Sequence, residues 1–168
     1  MEAIMELELK LNTLADTETL ARIFANILEP GILVCLYGSI GTGKTTFVKY
    51  CGAQLGIEEE ITSPSFVIIN EYVSGNFPLY HFDLYRLEKE GVKSILSELE
   101  EYSSDPAAIT FVEWAEFSEN NLLVDRLEIH FSYEEDFSDK RHIKIIAEGK
   151  KPQRLLSKLD EHYVNCKL

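Results

Sequence analysis

Leu7, Leu9 and Leu11 alternate with Glu6, Glu8 and Lys10, the period-two pattern of a strand with one buried face. The period then changes: Leu20, Ile23, Phe24, Ile27 and Leu28 recur at helical spacing behind Asp16, a residue able to cap a helix start, and Pro30-Gly31 ends the run. Ile32 to Tyr37 is continuously apolar, as befits a strand covered on both faces. A helix is expected from about Lys44 to Leu55, with Phe47, Val48 and Cys51 inward and Gly56 as its left-handed stop. After the polar turn Thr62-Ser63-Pro64-Ser65, the runs Phe66 to Tyr72 and Leu79 to Asp83 predict a hairpin turning at Ser74-Gly75-Asn76.

The second half repeats these signals. Leu84 to Leu87 lead into a helical region from Gly91 to Tyr102, with Val92, Ile95, Leu96 and Leu99 on one face, and Ser103-Ser104-Asp105-Pro106 ends it. Ile109-Thr110-Phe111-Val112 predicts a short buried strand closing on Glu113-Trp114. Leu127 to Tyr133 and His142 to Ala147 alternate around the polar turn Glu134-Glu135-Asp136, and Pro152 to Tyr163 predicts a last helix with Leu155, Leu156 and Leu159 inward. No repeat, low-complexity tract or linker interrupts the pattern, so one domain over residues 1–168 is expected.

Between the apolar run and the second helix lies the phosphate-binding loop pattern G-x-x-x-x-G-K-[ST], from Gly38 to Thr45. Glycines let a backbone turn its N–H groups toward a polyphosphate, and the following helix adds its positive N-terminal dipole. Ser39, Ile40, Gly41, Thr42, Gly43, Lys44, Thr45 and Thr46 are therefore expected to bind nucleotide. Lys44 would reach the β- and γ-phosphates, and the Thr45 hydroxyl would ligate Mg²⁺. With this loop at the carboxyl end of a central strand, the expected fold is α/β: a P-loop NTPase-like domain with a mixed, mainly parallel central sheet flanked by helices.

Composition narrows the partners. A formal net charge of −13 argues against a broad nucleic-acid surface, which needs clustered Lys and Arg. Cys35, Cys51 and Cys166 form no C-x-x-C pair and read as reduced thiols. No apolar run approaches the ~18 residues of a membrane span, and the start lacks a secretory pattern. A cytoplasmic protein is expected.

Glu113 and Asp83 each end an apolar run, where nucleotide-hydrolysing folds place a carboxylate that holds Mg²⁺ or orients water; the alternative for each is a solvated strand end. His81, between Tyr80 and Phe82, reads by default as a satisfied strand histidine, Trp114 as a core-edge tryptophan, and Arg86 as a surface ion-pair partner that could instead hold phosphate.

The motifs Leu36 to Phe47, Thr62 to Phe66, His81-Phe82-Asp83-Leu84-Tyr85-Arg86-Leu87, Val112-Glu113-Trp114 and Leu127 to Phe131 together resemble the bacterial TsaE (YjeE-type) ATPases of tRNA threonylcarbamoyladenosine biosynthesis. The resemblance implies an ATP- and Mg²⁺-dependent ATPase that binds TsaD and its partner TsaB, supports repeated turnover, and meets tRNA only indirectly. It implies that Lys44 and Thr45 bind ATP and Mg²⁺, that Glu113 meets the metal, and that Asp83 is the Walker-B-like acid. Ser63-Pro64-Ser65-Phe66 would be a nucleotide-sensitive loop, and Asp16 and Arg141 are the nearest matches to further nucleotide contacts of the family. Two departures stand out: Ser39-Ile40-Gly41-Thr42 where the family usually has D-L-G-A, and Ser65 for a usual Thr.

Two other classes share the loop. A small-molecule kinase needs a lid carrying arginines, and the five arginines here are scattered. A guanine-nucleotide switch needs D-x-x-G, which the chain lacks, and its only [NT]-K-x-D-like stretch, Ser157-Lys158-Leu159-Asp160, lies in a helical pattern.

Overall fold

A computed structural model describes residues 4–118, 120–123, 125–134 and 138–166. Seven strands, β1 (Met5–Leu11), β2 (Ile32–Tyr37), β3 (Ile69–Tyr72), β4 (Leu79–Asp83), β5 (Ile109–Glu113), β6 (Arg126–Tyr133) and β7 (Arg141–Glu148), form one sheet in the order β1-β7-β6-β2-β5-β4-β3. The centre, β6-β2-β5-β4, is parallel, and β7, β1 and β3 join antiparallel at the sides. This is the mixed α/β sheet that the periodicity predicts.

Helices cover both faces because β2 is apolar on both. Ile32, Val34 and Leu36 pack with Leu20 and Phe24 of α1 (Leu14–Ile27), Phe47 and Cys51 of α2 (Lys44–Gln54) and Leu155 and Leu159 of α5 (Lys150–Cys166). Leu33 and Cys35 point the other way, against Leu87 of α3 (Leu87–Glu90) and Leu99 of α4 (Leu96–Ser103). Burying side chains of this size contributes roughly 1.5–3 kcal/mol each, so the central strand is clamped from both sides. Burial also pushes the Cys35 and Cys51 thiols far above their ordinary pKa, which keeps them protonated and inert.

Three expectations are corrected. Asp16 is not the cap of α1: Thr13 is, its hydroxyl accepting from the Asp16 N–H while the Asp16 carboxylate accepts from the Thr13 and Asn12 N–H groups, a reciprocal capping box. Phe66 to Ile68 are not strand. The Pro64 carbonyl accepts the Val67 and Ile68 N–H groups, closing a turn that leaves Phe66 and Val67 exposed and Ile68 at a φ of 73°; the β-rich composition yields to local hydrogen bonding. The region from Gly91 to Tyr102 is broken rather than continuous: α3 ends before it at Glu90, and within it a 3-10 turn at Lys93–Ile95 gives way to α4. Of the turn expected at Glu134-Glu135-Asp136, residues 135 and 136 lie outside the described residues. Gly56, at a φ of 84°, follows α2 as the left-handed stop expected of it.

Candidate nucleotide site

The phosphate loop leaves the carboxyl end of β2 and enters α2 through Gly43, whose φ of 107° only glycine adopts without strain. Gly38 is constrained more severely. A Cβ there would lie 2.5 Å from the Phe131 carbonyl oxygen, so the loop and β6 touch backbone to backbone. Thr42 is buried, its hydroxyl donating to the Ser39 carbonyl at 2.8 Å, whereas Ser39, Ile40 and Gly41 are exposed at the tip.

Lys44 is buried inside the loop. Its ammonium donates to the carbonyls of Gly38 at 2.6 Å and Ser39 at 3.0 Å and lies 4.1 Å from the centre of the Trp114 ring. Burial lowers its pKa, against the raising influence of Glu113, Glu116 and Asp83. Glu116 is itself pushed up by burial. Trp114 reaches this position from a backbone φ of 55° directly after β5, a left-handed conformation uncommon for a bulky residue.

Behind the lysine, Thr45 donates to Glu113, with its oxygen 2.8 and 2.9 Å from the two carboxylate oxygens. His81 Nε2 lies 2.7 Å from Oε1 of the same carboxylate. Asp83 is the register partner of Glu113 on β4, and its Oδ2 accepts from the hydroxyls of Ser63 at 2.5 Å and Ser65 at 2.9 Å. Its Oδ1 accepts the Tyr85 N–H at 3.0 Å. Arg86 donates to the Phe66 carbonyl at 3.1 Å, tying the serine loop to the segment after β4. All of these groups but the buried His81 line one cavity of about 650 Å³, which Ile40, Phe66, Tyr85 and Trp114 edge with apolar surface.

A second cavity, of about 470 Å³, opens on the other side of the loop. Asn12, Thr13, Leu14 and Thr17 face Gly41 to Gly43, Thr46 and Arg141 across it. Arg141 donates to the Thr42 carbonyl at 3.2 Å and stacks over Tyr133, whose hydroxyl donates to the Gly41 carbonyl at 2.9 Å. Arg141 thus joins the phosphate loop. Asp16 is committed to its capping box, and its neighbours line the cavity instead.

Lys44, Thr45, Glu113, Asp83, Trp114 and Arg86 therefore converge, as does the Ser63–Ser65 loop. Sequence reasoning missed Tyr133 and underrated His81. The signal for His81 is its spacing: two residues before Asp83, it shares that residue's strand face. Nothing in the sequence singles out Tyr133 among eight tyrosines.

The donors of Thr45 and Glu113 are hard oxygens in direct contact, which suits magnesium. Among the described residues no cluster of three or more His, Cys, Asp or Glu is built to hold an ion alone, so a cation here would lean on phosphate oxygens as well.

A family model described as "Threonylcarbamoyl adenosine biosynthesis protein TsaE" matches residues 11–143. The chain belongs to the TsaE family. It is 37% identical over 147 residues to the tRNA threonylcarbamoyladenosine biosynthesis protein TsaE of Bacillus subtilis, covering 88% of this chain and 89% of that one. To the protein of the same name from Synechocystis it is 42% identical over 111 residues, covering 66% and 71%. The crystal structure of Bacillus subtilis YdiB is similar with a TM-score of 0.81 at 32% identity, covering 96% of this chain and 99% of that one. At that coverage the likeness to YdiB reaches beyond the family match, which leaves out α5 and all of β1 but Leu11. Among the described residues of this TsaE chain, no helix is long and apolar enough to cross a membrane.

Proposed function

We propose that this chain is a magnesium-dependent ATPase that serves the TsaD and TsaB proteins in threonylcarbamoyladenosine modification of tRNA. The observation that carries the reading is the direct contact of Thr45 with Glu113 behind a complete phosphate loop, in a chain of the TsaE family. Relatives named for tRNA threonylcarbamoyladenosine biosynthesis support the pathway.

The residues divide the work by position. The loop N–H groups and the α2 dipole hold phosphate oxygens. Lys44 exchanges its two loop carbonyls for phosphate, a charged acceptor worth more to an ammonium than neutral carbonyls. Thr45 and Glu113 would hold the cation, which would supply neutralisation of phosphate charge. Asp83 orients water, and Ser63 and Ser65 on its Oδ2 make that orientation depend on the loop between α2 and β3. The acidic surface suits a route to tRNA through protein partners.

The test is a turnover count: tRNA molecules modified per complex of TsaD and TsaB, with and without this chain, ATP and Mg²⁺. Many turnovers only when all three are added is the expected result. Equal turnover without the chain overturns the reading.

A further inference from the structure

The geometry assigns His81 as a positioning residue that holds the Glu113 carboxylate in the orientation a magnesium ion needs. The imidazole is fully buried on β4, and its Nε2 is 2.7 Å from Glu113 Oε1. Its Nδ1 is buried with no hydrogen-bond partner among the described residues. A proton on Nδ1 would be a buried donor without an acceptor, which costs more than leaving a lone pair there unmet. The proton therefore sits on Nε2, and His81 donates to the carboxylate.

Glu113 has two supports of different kinds. Thr45 lies at the open cavity, and its hydroxyl is the group a magnesium–nucleotide complex engages. His81 lies behind the carboxylate, out of reach of any ligand. Oε1 receives both His81 and Thr45, whereas Oε2 meets Thr45 alone among the side chains described. The histidine thus fixes Oε1 and leaves Oε2, which only the Thr45 hydroxyl touches among the side chains described, as the oxygen turned to serve a cation. A carboxylate without that support keeps its charge but loses its aim, and partners behind ligating groups are commonly worth 10–100-fold in metal affinity.

The inference rests on the magnesium–nucleotide reading above. ADP binding is measured by calorimetry across a Mg²⁺ titration and in EDTA, for the wild type, His81→Leu and His81→Gln. Leucine fills the space without a donor, and glutamine returns an N–H. In His81→Leu the Mg²⁺ midpoint should rise about tenfold with metal-free ADP affinity unchanged, and His81→Gln should recover most of the loss. A wild-type midpoint in His81→Leu, or equal damage in both variants, overturns the assignment alone. A wild type whose ADP affinity ignores Mg²⁺ overturns the nucleotide reading with it. Independently of any variant, ¹⁵N spectra of the wild type should show a protonated Nε2 and a bare Nδ1 for His81; a protonated Nδ1 overturns the assignment.

Discussion

Asp83 and Glu113 stand side by side in register at the ends of parallel strands, yet they answer to opposite walls of the cavity. Asp83 takes the hydroxyls of Ser63 and Ser65, and Glu113 takes Thr45 and His81. Glu113→Gln should therefore raise the Mg²⁺ midpoint and slow turnover together, because the amide keeps the shape but not the charge a hard cation requires. Asp83→Asn should slow turnover with the midpoint little changed. Titrating Mg²⁺ at saturating ATP compares them, and the opposite pairing would exchange the two roles.

Lys44→Ala removes the cation from the centre of the loop. A charged hydrogen bond is worth about 1.5–3 kcal/mol, so ATP affinity should fall by on the order of tenfold to a hundredfold, with phosphate release falling alongside. Calorimetry and a phosphate assay read the two. Near-normal release from a folded variant would defeat the assignment of the loop.

Gly38→Ala and Gly43→Ala should differ in cost although both sit at positive φ. At Gly43 a Cβ meets no atom within 4 Å, leaving only backbone strain of about 1–2 kcal/mol. At Gly38 it meets the Phe131 carbonyl at 2.5 Å, and β6 cannot retreat without breaking its ladder. A loss of about 2–5 kcal/mol is expected there. Urea unfolding of both variants measures the gap, and equal losses would contradict it.

Acid sensitivity should arise partly where α5 meets the end of α1. Paired hydrogen bonds from Arg154, with help from Lys158 and against partial burial, hold the Glu29 carboxyl at about 2, below its ordinary 4.5. The folded pKa is the lower one, so this stabilisation is complete above the ordinary 4.5 and is lost as pH falls through about 2. The pair is partly solvated, which limits it to about 1 kcal/mol or less. Arg154→Ala should lose that amount at neutral pH and progressively less as pH falls through about 2. Unfolding curves across this range should converge at the acid end.

The strands and helices were legible wherever one pattern ran undisturbed, as in the unbroken apolar run from Ile32 to Tyr37 or the helical period from Pro152 to Tyr163. The phosphate loop was legible because glycines, lysine and threonine must stand at fixed spacing to meet a phosphate. Phe66 to Ile68 misled because their composition suits a strand while the turn at Pro64 captures their backbone N–H groups. Asp16 misled by one turn of reasoning: Thr13 precedes it and completes a reciprocal box that a single acid does not reveal. The partnerships of Tyr133 and Trp114 depend on strands and loops distant in sequence, and no local pattern encodes them, whereas the spacing of His81 from Asp83 marks its strand face but not its partner Glu113 on β5.

Trp114 is the chain's only tryptophan, and the Lys44 ammonium rests against its ring. Indole emission responds to a charge at that distance, and a phosphate that draws Lys44 forward removes the charge from the ring. The intrinsic fluorescence of the native chain should therefore change on adding nucleotide and stay flat in Lys44→Ala. The ring under the lysine gives the protein a built-in optical gauge of phosphate occupancy, with no dye or label attached.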